Sequence, residues 1–311
     1  MSVLVSTNFT NYGIKRTAKV RDIYEQEDKL LLVATDRHSS FDRIIAHIPQ
    51  KGEVLNLLSA FWFEKTKDIV NNHVVAIPDP AVTVAKKVRP LPIESVMRGY
   101  LTGSTATSIW TLYKAGQRNF GNFLLPDAMY KNQKLSSPVF TPTTKEDEHD
   151  RTITPQEIVE SGQIARDQLD KIETISRKLF ARGQELAEAA GLILVDTKYE
   201  FGLDENHELV LIDELHTPDS SRYWKLDSYD ERVGMGHEPE YFDKEFLRLW
   251  FKENSDPYQD EVLPEAPADM VEELSRRYQE IYTQITGEIM PEAMADPEKR
   301  ISENLAPYVY A

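Results

Sequence analysis

Residues 193–224, ILVDTKYEFGLDENHELVLIDELHTPDSSRYW, constrain the fold more than any other stretch. Two apolar runs flank the polar segment LDENHE, the pattern of a β-hairpin with buried strands. Yet Asp196, Lys198 and Glu200 alternate along the first run, and Asp213 and Glu214 interrupt the second. Strand side chains alternate faces, so Asp196, Lys198 and Glu200 share one face, and Val195, Thr197 and Tyr199 the other. With an even-length turn, Asp213 joins Glu200 on the charged face and Glu214 points away. Carboxylates crowded in this way repel one another unless a proton or a cation intervenes. Two readings stand. The row holds Mg2+ with the help of nucleotide phosphates, or it is a solvated hairpin face with Lys198 paired to a neighbour.

A chain of 311 residues can bury a substantial core and divides naturally into two lobes. No apolar run approaches the roughly 18 residues of a membrane span. The start, MSVLVSTNFTNYGIKR, lacks the basic and apolar regions of a secretory signal, so a cytoplasmic setting without membrane attachment is expected. Cysteine is absent, which excludes disulfides, thiolate metal sites and a cysteine nucleophile. The net charge of −16 is unevenly placed. Residues 1–125 hold 16 Lys/Arg against 11 Asp/Glu, a net of +5, and the remainder holds 20 against 41, a net of −21. An acidic bulk argues against nucleic-acid partners, whereas a basic first third can attract a small anion. The acidic helical faces of residues 240–311 read as solubilising surface.

The first hundred residues read as β-rich. Strands are expected at IKRTAKVRDIYEQ, KLLLVATD, VTVAKKV and IESVMRGYL. One helix, GEVLNLLSAFWFEKTKDIV, places Leu55, Leu58, Phe61, Trp62 and Lys65 on a single stripe. A second, in GSTATSIWTLYKAG, ends at Gly116. Residues 117–153 read as loop, including the acidic EDEHD at 146–150. TPQE at 154–157 is a capping box, and a long helix over about 166–190 closes at Gly191. The segment between the hairpin and about residue 238 reads as irregular, and two amphipathic helices complete the chain. The expected fold class is α+β, with a β-rich lobe joined to an α/β lobe and a ligand cleft between them.

Two further clusters carry chemistry. In RTAKVRDIYE, Lys19 and Arg21 alternate on a strand, either as a flap over phosphates or as a solvated edge; no Walker A or GxGxxG motif accompanies them. In ESVMRGYLTGS, Glu94 and Arg98 share a face and Ser104 lies near a helix start, either as a phosphate seat or as a cap beside a surface ion pair. His38, in TDRHSSFDR, has no nucleophile elbow near it and reads as a hydrogen-bonded loop histidine.

Taken together, AKVRDIYE, ATDRHSSFD, IPQKGEVLN, ESVMRGYLTGS, VDTKYEFG and IDELHTPDSSRYW, in that order along nearly the whole chain, resemble the SAICAR synthetase family of purine biosynthesis. The length resembles the longer variant of that family. The resemblance implies a two-lobed, kinase- or ATP-grasp-like fold, with residues 1–92 carrying a nucleotide flap and residues 93–311 the metal and ribonucleotide site. It implies ATP and Mg2+ as cofactors, and aminoimidazole carboxylate ribonucleotide and L-aspartate as the other small-molecule substrates of a monomer. Lys19 and Arg21 would then belong to the flap, and Lys86 and Arg89 to the inter-lobe hinge beside adenine. Glu200 and Asp213 would hold the metal. Arg98, Ser104 and Arg222 would grip the ribonucleotide, chiefly its phosphate, and Glu94 would also bind that substrate. Asp196 would face the imidazole amine and carboxylate, and Lys198 the transferring phosphoryl group. Lys51-Gly52 and the HSSFD segment are candidates for holding aspartate. A kinase-like phosphotransferase and a nucleotide-binding regulatory module without turnover are the rival readings, and phosphate release that requires both acceptor substrates separates them.

Overall fold

The computed structural model describes residues 2–105, 107–145, 151–242 and 245–309; the acidic EDEHD segment lies outside the described residues. Along the chain run β1 (Ile14–Thr17), β2 (Arg21–Glu25), β3 (Lys29–Ala34), β4 (Arg37–Ser40), β5 (Arg43–His47), α1 (Lys51–Thr66), β6 (Val74–Asp79), β7 (Val82–Lys86), β8 (Arg89–Leu101) and α2 (Ile109–Lys114). There follow β9 (Gln133–Phe140), β10 (Thr143–Thr144), α3 (Pro155–Glu160), α4 (Arg166–Ala189), β11 (Leu192–Leu203), β12 (Leu209–Ile212) and β13 (Ser221–Lys225). Helices α5 (Leu226–Gly234), α6 (Glu245–Asn254), α7 (Ala268–Thr286) and α8 (Pro297–Leu305) complete the chain. The class is α+β, as expected, and the named strands of both large sheets pair antiparallel, including those of the lobe expected to be α/β. No described helix is long and apolar enough to cross a membrane.

The first sheet has the order β1-β2-β3-β7-β6. The stretch IKRTAKVRDIYEQ is not one strand but a hairpin, folded where the Ala18 N–H donates to the Arg21 carbonyl at 2.8 Å. Both arms alternate in the same way and no Gly or Asn marks the bend, so periodicity alone reads straight through it. Strand register places Tyr24, Leu31, Val33, Val82 and Val84 on one face, where they pack with Ile301 and Leu305 of α8. Arg21, Ile23, Leu32, Ala34, Thr83 and Ala85 share the other face.

Helix α1 lies on that second face and also packs against α7. The expected single apolar stripe is too narrow a description. Val54, Leu55, Leu58, Trp62 and Phe63 are buried, but so are Lys51, Gly52, Glu53, Asn56 and Ser59. The start of the helix presses on β3 so closely that a Cβ on Gly52 would stand 2.5 Å from the Ala34 carbonyl oxygen. Asp36 fixes this approach by accepting the Gly52 N–H at 3.0 Å and the Leu4 N–H at 2.8 Å.

Burial pushes the Asp36 carboxyl up to about 6, against the pull of those two amides. Its folded value lies above its unfolded one, so its stability contribution is present in acid and is lost as pH rises from about 4 through 6. Unfolding free energy measured against Asp36→Asn is expected to show wild type losing on the order of 3 kcal/mol relative to the variant across that window. Parallel pH profiles would exclude the assignment.

The second sheet runs β10-β8-β11-β12, with β13 also paired to β11 and β9 to β8. Helix α4 sets Leu169, Ile172, Leu179 and Phe180 into a core with Leu194, Tyr199 and Phe201. The capping box forms in both directions, Glu157 N to Thr154 Oγ1 at 3.2 Å and Thr154 N to Glu157 Oε2 at 2.7 Å, but it caps only the six-residue α3. Strands β9 and β10 occupy the region read as loop, and β13 and α5 the region read as irregular. QKLSSPVF carries Pro138 and two serines, which masks its strand pattern, and α8, a further helix after the two expected to complete the chain, exposes a charged surface around only Ile301 and Leu305.

Candidate active site

Strand β11 carries the charged row, and its neighbours supply the partners. Asp196 lies opposite Arg98 of β8 and Arg222 of β13, and Glu200 lies opposite Glu94 of β8. A β-bulge is needed to do this. Leu194 pairs with Tyr223 and Asp196 with Arg222, leaving Val195 as the extra residue. Val195 therefore joins Ile193, Tyr100 and Trp224 in a separate cluster instead of sharing a face with Tyr199. Asp196, Lys198 and Glu200 do share a face, as expected.

The hairpin register differs from the even-turn expectation. Leu203 pairs with Leu209 and Glu200 with Ile212, so Ile212 stands opposite Glu200. The turn is odd in length, closed by Asp204 N to the Glu208 carbonyl at 3.1 Å with His207 at φ 60°. Asp213 reaches the row by another route. It follows the end of β12 with φ 68°, and this left-handed turn brings its Oδ2 to 3.2 Å from Lys198 Nζ. Glu214 does not point away from the site, since its Oε2 is 3.4 Å from Arg21 Nη2.

The row has two ends. At one, Glu94, Glu200 and Asp213 converge on Lys198 Nζ at 3.2, 2.6 and 3.2 Å. Lys145 also binds Glu200, and Arg21 binds Asp213. At the other end Asp196 is bound by Arg222, with Arg98 Nη1 at 3.5 Å and Arg98 Nε donating to Thr141 Oγ1 at 2.8 Å. A cavity of about 180 Å³ opens there, lined by Arg98, Asp196, Lys198, Asp219, Arg222 and Arg248, among others. Two strand residues advance about 6.6 Å, so Asp196 and Glu200 are roughly 13 Å apart along β11 with Lys198 midway.

The electrostatics follow from burial opposed by pairing. Burial pushes the Asp213 carboxyl up, but Arg21 and Lys198 outweigh it and hold the group well below the usual carboxylate range. Burial also raises Glu214; Arg21 only partly offsets this, and the neighbouring negative charge of Asp213 raises it further. Burial works against charge on Lys198, yet Asp213, Glu200 and Glu94 lift it well above an ordinary lysine. Lys198 is thus a permanent cation. Arg98 is lowered by burial despite Asp196 beside it. The Lys198 ammonium stands where these carboxylate oxygens converge, and Glu200 and Asp213 are the two carboxylates there that could hold a divalent cation together with phosphate. Among the described residues, no group of three or more His, Cys, Asp or Glu side chains is placed to hold a metal ion by itself.

Of the residues singled out from sequence, the structure gathers Asp196, Lys198, Glu200, Asp213, Glu94, Arg98, Arg222 and Arg21. Lys19 sits in the β1–β2 turn, its Nζ 2.5 Å from Asp42 of the β4–β5 turn. Ser104 is exposed in the loop before α2, whose cap is Ser108. That loop adjoins the site, because a Cβ on Gly103 would stand 3.5 Å from Arg222 Nη2. Lys86 pairs with Lys29 on the face of Val84, opposite to Arg21, and Arg89 pairs with Leu203 at the far end of β8. Lys51 is wholly buried in an ion pair with Asp219. Sequence reading missed Lys145, which reaches Glu200 only because β10 pairs with β8 at Glu94, and Arg248, an arginine within the apolar run of α6. Arg248 stacks 5.2 Å from the Phe41 ring centroid at the cavity edge.

The profile of the SAICAR synthetase family matches residues 15–265. The chain belongs to the SAICAR synthetase family. A phosphoribosylaminoimidazole-succinocarboxamide synthase of Legionella pneumophila (strain Paris) is 54% identical over 277 residues, covering 89% of each chain. The SAICAR synthase of Saccharomyces cerevisiae, solved in complex with SAICAR, superposes with a TM-score of 0.80 at 32% identity, over 93% of this chain and 100% of that one. A SAICAR synthetase solved with ADP superposes with a TM-score of 0.68 at 26% identity, over 90% of this chain and all of the other. The fold and the family therefore agree over nearly the whole length.

Proposed function

We propose that this chain joins the carboxylate of aminoimidazole carboxylate ribonucleotide to the amine of L-aspartate at the expense of ATP, giving SAICAR, ADP and phosphate. The observation that carries the reading is the two-ended row on β11, with acidic groups for metal-ATP at Glu200, arginines for an anionic substrate at Asp196, and Lys198 between them. In this proposal the two sheets act as kinase- or ATP-grasp-like lobes, residues 1–92 and 93–311, hinged where β7 passes into β8. ATP lies against Ile23, Leu32 and Ala85, its phosphates under Lys19 and Arg21, with the hinge backbone from Lys86 to Arg89 beside adenine. Mg2+ bound by Glu200 and Asp213 would neutralise phosphate charge. Arg98, Arg222 and Ser104 grip the ribonucleotide phosphate, Glu94 and Asp196 orient the imidazole end, and Arg248 is placed to receive a carboxylate of aspartate. All of these groups come from one chain, so a monomer suffices, and a cytoplasmic setting suits a consumer of ATP and free aspartate.

A carboxylate resists amines, so activation must come first. The γ-phosphoryl group passes to a carboxylate oxygen, forming an acyl phosphate and ADP. The aspartate nitrogen then attacks the carbonyl carbon, the C–O bond to phosphate breaks, and the nitrogen gives up its proton as the amide forms. Lys198, held charged by its three carboxylates, stabilises the transferring phosphoryl group without itself moving a proton. With ¹⁸O in the substrate carboxylate, one label is expected in the released phosphate by mass spectrometry. Unlabelled phosphate with product still forming would sink this route, and ADP formed from ATP and the ribonucleotide without release of phosphate would favour a phosphotransferase.

Arg98→Ala is expected to raise the KM for the ribonucleotide about ten- to a hundredfold, the worth of a charge-assisted contact, with little change for ATP. Steady-state kinetics with each substrate varied in turn checks this. A loss confined to ATP would move Arg98 to the other pocket.

A further inference from the structure

The loop from Asp213 to Ser220 joins the two ends of the site, with Asp213 at its start and Arg222, the second residue of β13, just beyond its end. It is irregular, and Asp213 and His216 both hold positive φ, 68° and 50°. Such a backbone keeps its shape only if side chains around it impose one. Tyr199 Oη meets His216 Nε2 at 2.6 Å, and Tyr223 Oη donates to the His216 carbonyl at 2.7 Å, which pins the middle. The end nearest Arg222 is pinned through Asp219. Its Oδ2 accepts from Lys51 Nζ of α1 at 2.7 Å, and its Oδ1 from Tyr278 Oη of α7 at 2.7 Å. Lys51 and Tyr278 are both fully buried.

Asp219 lines a cavity otherwise rich in arginine, where an unrestrained carboxylate would compete with an anionic substrate for those cations. Turning both oxygens toward α1 and α7 removes that competition and leaves Ser220, Ser221 and Arg222 facing the cavity. Helix α7 begins at Ala268, beyond the segment matched by the family profile, and it is anchored to the start of α1 by Ser275 Oγ donating to the Pro49 carbonyl at 2.8 Å. We propose that Tyr278 is a positioning residue for the ligase reaction: together with Lys51 it holds Asp219, and through it sets where Arg222 stands in the ribonucleotide cavity. This rests on the reading that Arg222 grips the ribonucleotide.

The test compares wild type, Tyr278→Phe and Tyr282→Phe, each with kcat, the KM of all three substrates and the melting temperature. Tyr282 is a control on the same helix, its hydroxyl bonded to Glu288 at 3.0 Å away from the cavity. Tyr278→Phe is expected to raise the ribonucleotide KM about fivefold with the ATP KM unchanged, as fits one hydrogen bond lost to a charged acceptor that acts indirectly. Tyr282→Phe is expected to change melting temperature alone. An unchanged ribonucleotide KM in Tyr278→Phe, or equal rises for ATP and ribonucleotide, overturns the inference while wild-type turnover keeps the functional reading. A wild type that forms no SAICAR overturns both.

Discussion

Asp213→Asn is expected to lower kcat/KM for ATP by at least about a hundredfold while the ribonucleotide still binds within a factor of about three. Asparagine tolerates the left-handed backbone that Asp213 adopts at φ 68°, so the loop keeps its course and only the charge is lost. That charge is what Arg21 and Lys198 hold well below the usual carboxylate range against the cost of burial. Its loss leaves Glu200 as the one carboxylate of the proposed pair able to accept Mg2+ at neutral pH, and the Mg2+ concentration for half-maximal rate should rise with it. Glu200→Gln should act in the same direction, with the added loss of the contact to Lys145. Kinetics over a Mg2+ series, with calorimetry for ribonucleotide binding, checks both variants. Near-normal rates at ordinary Mg2+ in the two would remove them from the metal site.

The charged face of β11 was legible in the sequence because strand alternation is a local rule and Asp196, Lys198 and Glu200 obey it. Asp213 joined the same cluster for a reason periodicity could not supply. The turn is odd, so the regular register places Ile212 opposite Glu200, and a single left-handed residue then carries Asp213 back to Lys198. Glu214 was read as pointing away for the same cause, whereas Arg21, arriving from the first sheet, bonds both acids. Lys145 and Arg248 were invisible because their places depend on contacts distant in sequence: β10 beside β8, and α6 beside the tip of the β4–β5 hairpin. The same holds for Val195, where the bulge overrides alternation and thereby sets Asp196 between two arginines. Local pattern marks which strand is charged, and long-range pairing decides which charges meet.

The other large effect is expected at Lys198, whose ammonium keeps Glu94 and Glu200 from facing each other as bare like charges across the β8–β11 ladder. Methionine has nearly the same length and no charge, so Lys198→Met tests the cation without opening a cavity. Turnover should fall about a thousandfold, because the group placed between the two ends of the row no longer stabilises the moving phosphoryl charge. Stability should fall as well, by about 3 kcal/mol near pH 8, since removing one partner of a buried pair strands the others. The sign of the pH response separates this from ordinary packing loss. Without Lys198 the carboxylates are raised in the folded state, so the deficit is present at high pH and shrinks as pH falls and they take up protons. Mg2+ should therefore raise the melting temperature of Lys198→Met more than that of wild type, as a divalent cation replaces the missing ammonium. A variant within tenfold of wild-type turnover, or one whose stability ignores both pH and Mg2+, would show that Lys198 is neither the hub of the acidic end nor the cation beside the phosphoryl group.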